Sequence, residues 1–279
     1  MATQSSLNAG ATMSGGTQGS ALSTLSRSEK LLLVVPLLGG LFFGLLPILA
    51  QQWFARISQV SGDDPYIYRL AGAATFGYAV ALVMAIRQGE WLPARNVVIA
   101  TLTFNLGSLF AIAVTIATGT ATLIVYAILV ASILITAITS WLLYRHRGLA
   151  QAENDVARWL VWLVVLLAVV ATALGALVLF LPNLFAQLFG FLGTDGFIYR
   201  QAGAATLGYG IMGVFQLRTP SWRLWRLPSV MALVFNGLSF VVTVLALAGG
   251  ERSILLPVVA LVSLIATVGT FLALRRQGK

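Results

Sequence analysis

Eight apolar stretches, each close to twenty residues long, alternate with short polar breaks: Leu31–Ala50, Pro65–Ile86, Ala94–Ala117, Ala121–Tyr144, Arg158–Leu181, Gly196–Leu217, Leu227–Leu247 and Ile254–Leu274. A helix needs about 20 apolar residues to cross hydrocarbon, where every backbone polar group must be satisfied within its own segment. The alternating segments of about ten residues that a membrane β-barrel requires are not seen in the sequence. The pattern predicts an all-α integral membrane protein with eight transmembrane helices.

The pattern is also written twice. Ile67 to Tyr78 reads IYRLAGAATFGY and Ile198 to Tyr209 reads IYRQAGAATLGY, differing only at Leu70/Gln201 and Phe76/Leu207. From Gly62/Gly193 to Arg145/Arg276 the halves stay in register at an offset of 131, through Arg87/Arg218, Trp91/Trp222, Asn105/Asn236 and Ser132/Ser263. Upstream, Gly40/Gly175 and Pro47/Pro182 match at a shift of 135, which places a four-residue difference in the link after the first and fifth helices. Repetition on this scale predicts two tandem four-helix units, 28–147 and 158–279, joined by a cytoplasmic linker at 148–157. A unit of four helices returns the chain to its starting side, so the copies share one topology about a pseudo-twofold along the membrane normal. The internal counterpart of the first apolar run opposes reading it as a cleaved signal peptide. Residues 1–27, rich in Ser, Thr, Gly and Ala, read as a disordered cytoplasmic tail.

Composition reinforces the class: 59% of the 279 residues are hydrophobic and 9% charged, against roughly 25% charged in soluble domains. The net charge of +9 is distributed by side. Thirteen basic residues (Arg27, Lys30, Arg87, Arg95, Arg145, Arg147, Arg158, Arg218, Arg223, Arg226, Arg275, Arg276 and Lys279) fall on one side and four (Arg56, Arg69, Arg200 and Arg252) on the other. The positive-inside rule puts both termini in the cytoplasm of a plasma (inner) membrane protein. The same rule accounts for the basic balance without nucleic acid. The expected partner is the lipid bilayer, with other membrane subunits or a homo-oligomer as further candidates. Trp91, Trp141, Trp159, Trp162, Trp222 and Trp225 lie beside the basic loops, as interfacial anchors do.

Little in the sequence points to bond chemistry. There is no cysteine, and the single histidine, His146, lies in the basic run Arg145-His146-Arg147, where it reads as a solvated loop residue. All eight acidic residues fall in loops or at helix ends, so no catalytic set, metal site or cofactor is predicted. Asp64 precedes Pro65 and Asp195 precedes Gly196, as helix N-caps would; ion or substrate binding is the alternative. Arg69 and Arg200 lie about one turn inside the outer helix ends and either snorkel towards headgroups or pair with a neighbouring Asp, with contact to an anion or lipid headgroup as the alternative. Ala71, Thr75 and Tyr78 form one stripe, with Arg69, Gly72, Ala73 and Phe76 broadly opposite. Small residues on both faces predict helices packed on both sides. Gly40 and Gly44 form a GxxxG pattern in the first helix.

Counting from Arg87 and Arg95, Tyr78 and Asn105 lie roughly 14 and 15 Å into the membrane, near its midplane. Helices joined by a short loop usually touch, so a Tyr78–Asn105 hydrogen bond, repeated as Tyr209–Asn236, is expected. It would be either bundle glue or a polar site for a small solute.

The order of Pro at a helix end, then Gly and Asp, then Arg and a Gly/Ala-rich helix covers helices one to three of each half. It resembles small uncharacterised bacterial four-helix membrane-protein families, here in tandem, and this resemblance implies no chemistry at any position. The leading functional expectation is a non-enzymatic scaffold or accessory membrane subunit. The alternative is a facilitator or channel for a small neutral or lipophilic solute, and a lipid-modifying membrane enzyme stands third.

Overall fold

A computed structural model of the chain describes residues 24–147 and 155–277, and these are all-helical apart from one isolated bridge between Thr24 and Glu90. The long helices are α1 (Arg27–Leu49), α3 (Pro65–Gln88), α4 (Trp91–Ala117), α5 (Leu123–Arg145), α6 (Arg158–Phe180), α8 (Gly196–Arg218), α9 (Trp222–Ala248) and α10 (Leu255–Gln277). Two short helices, α2 (Gln51–Ser58) and α7 (Pro182–Phe189), follow α1 and α6. Among the described residues, seven helices are long and apolar enough to cross a membrane: α1, α3, α4, α5, α6, α9 and α10.

The remaining long helix, α8, has 23 residues, about 35 Å at 1.5 Å per residue. Only Val214 and Arg218 of it are exposed. A helix enclosed by other helices meets side chains rather than lipid, and α8 is accordingly rich in Gly and Ala. Exposed apolar side chains gather instead on the peripheral helices, for example Phe42 on α1, Val130 and Ile133 on α5, Trp162 and Val169 on α6, and Leu261 on α10.

Local chemistry sets the helix ends. Ser26 and Glu29 form a reciprocal capping box at α1: the Glu29 N–H donates to Ser26 Oγ and the Ser26 N–H to Glu29 Oε2. Pro65 and Pro182 occupy the first helical positions of α3 and α7, where a missing N–H costs nothing. The expected tail, 1–27, falls largely outside the described residues. Its described end is folded, for Leu25 is buried and its N–H donates to the Gly89 carbonyl at 2.8 Å. Most of the expected linker, 148–157, also lies outside them.

Three expectations are corrected here. The link after the first helix is itself the helix α2, too short to register as an apolar run. Gln51, Phe54, Ala55 and Ser58 face inward at helical spacing, whereas Trp53 and Ile57 are exposed. The shift of 135 is also replaced, since Pro47 sits inside α1 and Pro182 opens α7. The glycine corresponding to Gly175 is Gly44, at an offset of 131: Gly44 abuts Phe76 of α3, and Gly175 abuts Leu207 of α8. The register of 131 thus reaches back to Arg27 and Arg158, the first residues of α1 and α6. Finally, Trp91 and Trp225 are fully buried, whereas Trp141, Trp159 and Trp162 are exposed on the basic end.

The packing order departs most from the sequence order. α3 packs on α1 and then on α9 of the other half, whereas its contact with α4, the next helix in the chain, is slight. Correspondingly, α8 packs on α6 and on α4, and barely on α9. α5 covers α4 and α10 covers α9, while α3 crosses α8, and α4 crosses α9, at the centre. The two halves are therefore interlocked rather than laid side by side.

Candidate functional site

At the end carrying the α1–α3 and α6–α8 connections, the halves clasp each other. Asp64 and Asp195 precede α3 and α8, but neither side chain caps its own helix. Asp64 accepts from the Leu192 N–H at 3.0 Å, the Gly193 N–H at 2.9 Å and the Tyr199 hydroxyl at 2.7 Å. In return Asp195 accepts from the Ser61 N–H at 2.9 Å, the Gly62 N–H at 2.8 Å, the Ser61 hydroxyl at 2.9 Å and the Tyr68 hydroxyl. Gly62 and Gly193 both have positive φ, +73° and +71°, the left-handed conformation that turns these N–H groups toward the opposite carboxylate. Ser61 Oγ and Thr194 Oγ1 complete the seam at 2.9 Å. The capping expectation for both aspartates is thereby overturned: their acceptors serve the other half.

Neither Arg69 nor Arg200 forms an ion pair with these aspartates among the described residues. Arg200 bends back to its own helix, donating from Nη1 to the Gly196 carbonyl at 3.2 Å. Arg69 lies near Glu251 in the α9–α10 connection. Partial burial pushes the Glu251 carboxyl above its ordinary range, Arg69 opposes the shift, and Asp64 adds to it.

Midway along the bundle the repeated tyrosines cross. The Tyr78 hydroxyl donates to the Ala205 carbonyl of α8, and the Tyr209 hydroxyl to the Ala74 carbonyl of α3, both at 2.8 Å. Their rings meet edge to face at 5.1 Å. A buried phenol must find an acceptor, and a helical carbonyl offers its second lone pair. The close approach depends on Gly77 and Gly208, because a Cβ at either position would collide with the other half's tyrosine hydroxyl.

The expected Tyr78–Asn105 bond is absent. Asn105 Nδ2 donates to the Thr101 carbonyl and Asn236 Nδ2 to the Ala232 carbonyl, one turn back on their own helices, both at 2.8 Å. The physical reason is that α3 packs on α9 and α4 on α8, which leaves a cavity between α3 and α4. About 100 Å³ in volume, it lies between α1, α3, α4 and α5, with Thr75, Tyr78, Asn105, Ser108 and Ser132 among its lining residues. Its counterpart, about 170 Å³, lies between α6, α8, α9 and α10, with Thr206, Tyr209, Asn236, Ser239 and Ser263 at the corresponding places. Tyrosine and asparagine thus share a cavity in each half without touching. Both cavities are lined mainly by apolar side chains, and the crossed tyrosines stand between them.

Several side chains here escape sequence reasoning. Tyr68 and Tyr199 lie in the repeated twelve residues, but their partners are about 130 positions away. Gln201 marks one of the two differences between the copies: it reaches into the first cavity and donates from Nε2 to Ser108 Oγ at 2.8 Å. His146, read as solvated, is buried at 7% exposure. Its Nε2 lies 2.8 Å from Glu29 Oε1, and its ring stacks on Trp91 with centroids 4.4 Å apart. Arg145 Nε adds a contact to Glu29 at 3.4 Å. The second half has Leu160 where the first has Glu29, so this ion pair has no counterpart there.

Among the described residues no group of His, Cys, Asp and Glu has the clustering of a metal site. Compared with protein-family models, with curated proteins and with solved structures, the chain matches none.

Proposed function

We propose that the chain is a non-enzymatic, eight-span membrane protein that takes small lipophilic molecules from the bilayer into two midplane cavities, one per tandem four-helix unit. The observation that carries this reading is the pair of largely apolar cavities at corresponding places, each lined by one of the crossed tyrosines and one asparagine. A protein serving only as a scaffold has no use for two matched voids in a core that otherwise packs glycine against backbone. Seven helices already meet the length and apolarity of spans, and the enclosure and length of α8 support its being the eighth. The ends carrying Arg87, Arg145, Arg218 and Arg276 lie together, which supports placing both termini on the cytoplasmic face of an inner membrane.

Access from lipid runs along the seam between α6 and α10. Trp159, Trp162, Leu166, Ile265 and Gly269 line an outer groove there, and Leu163 lines both this groove and the cavity behind it. The lipid-modifying alternative loses its acid candidates, because Asp64 and Asp195 are engaged in the clasp.

An apolar alkyl diazirine, photolysed with the protein in liposomes, tests the reading. Labelling of cavity residues should saturate in both halves. Ala131→Phe should abolish it in the first cavity only, and Val262→Phe in the second only. Labels confined to lipid-facing side chains, unsaturable and indifferent to both substitutions, would refute it.

A further inference from the structure

The second cavity holds an unmet pair of hydrogen-bonding groups, and the pair points to a ligand. In the first cavity Gln201 donates to Ser108 Oγ, which also accepts from Ser132 Oγ at 3.1 Å, so both lone pairs of Ser108 are filled within the protein. Leu70 stands at the matching place in the second cavity and can supply no hydrogen bond. There Ser239, the counterpart of Ser108, is 1% exposed and its Oγ has no hydrogen-bond partner. Asn236 lies three residues earlier on the same face of α9, with its Nδ2 spent on the Ala232 carbonyl. No donor among the described residues reaches its Oδ1.

A buried hydroxyl without a partner is costly, and native structures seldom leave one. What is missing is a group that accepts from Ser239 Oγ and donates to Asn236 Oδ1. A single hydroxyl does both, whereas an ether or ketone only accepts and a hydrocarbon does neither. No charged side chain lines this cavity, so an ionic ligand finds no counter-charge. The volume of about 170 Å³ is close to that of a core cavity of about 150 Å³ that binds benzene. We infer that the second cavity is a site for a small neutral alcohol or phenol of about six to eight heavy atoms, its hydroxyl held by Ser239 and Asn236. This inference rests on the reading of both cavities as ligand sites.

The test uses the apolar diazirine on the full chain in liposomes and displaces it with two isomers, 1-hexanol and 1-methoxypentane, compared at equal concentration in the lipid phase. The isomers match in size, but only the alcohol donates. Hexanol should displace the probe from the second cavity at a concentration several-fold to about tenfold lower than the ether. Asn236→Leu, which removes the acceptor of the alcohol's proton, should erase the preference with the probe still bound, and Ser239→Ala should weaken displacement by both isomers alike. Equal displacement by both isomers at the second cavity, with both cavities still labelled, overturns the inference and leaves the occupancy reading standing. Absence of saturable labelling in both cavities overturns the two together.

Discussion

Gly77→Ala should lower the apparent melting temperature of the detergent-solubilised protein by about 5 °C, and adding Tyr209→Phe should recover about half of the loss. The added methyl collides with the Tyr209 hydroxyl, which is fixed at the far end of a rigid ring by its bond to the Ala74 carbonyl. Overpacking of this kind costs about 2 kcal/mol, and a chain of this size shifts by roughly 2–4 °C per kcal/mol. Removing the hydroxyl relieves the worst contact, but the Met231 carbonyl remains 2.9 Å from the new Cβ, so recovery is partial. Tyr209→Phe alone should cost little, about 0.6 kcal/mol, the average for hydrogen bonds between membrane helices. The specificity of the rescue is the informative part. Tyr78→Phe should leave Gly77→Ala unrescued and should instead rescue Gly208→Ala, because each tyrosine presses on the glycine of the other half. Equal rescue by either tyrosine would contradict the crossing.

The second large effect is at the clasp. Asp195→Ala strands two backbone N–H groups and two hydroxyls at a partly buried seam, at a cost of about 2–4 kcal/mol. Asp64→Ala strands three donors and should cost somewhat less. Pairwise coupling separates lost clasp bonds from general damage. Tyr68→Phe should add almost nothing to Asp195→Ala, since its acceptor is already gone, yet should add fully to Asp64→Ala. Thermal denaturation of the three variants and their combinations reads this cycle.

The helices themselves were legible as apolar runs, and the stripe Ala71, Thr75 and Tyr78, found by helical spacing, does line one cavity. Partnership was not legible. Neighbours in sequence usually pack together, which led to a Tyr78–Asn105 bond. Nothing in a single chain announces that the helix facing α3 comes from the other half. The aspartates were visible as residues preceding helices, and their positions are those of N-caps. Only the folded loops show that their carboxylates cross. α2 is invisible to any search for spans because eight residues cannot cross lipid. Its signature, Phe54, Ala55 and Ser58 inward and Trp53 outward, is that of a helix lying in the interface. The Leu70/Gln201 difference is plain in the sequence, but a change of residue type acquires meaning only once Gln201 is seen to reach Ser108 of the other half.

The interlock carries the whole account, since the cavities exist because each half's second helix leans on its partner's third. A natural chain without cysteine allows a clean measurement. Ser61 Oγ and Thr194 Oγ1 are exposed and 2.9 Å apart, which suits a disulfide between cysteines placed at both positions. Ser61→Cys combined with Thr194→Cys should form an intramolecular disulfide under mild oxidation in intact membranes, identified as a linked peptide by mass spectrometry. It should also block the maleimide labelling that each single variant shows. Free labelling of both cysteines in the double variant after oxidation, with no linked peptide, would show that the two halves do not clasp.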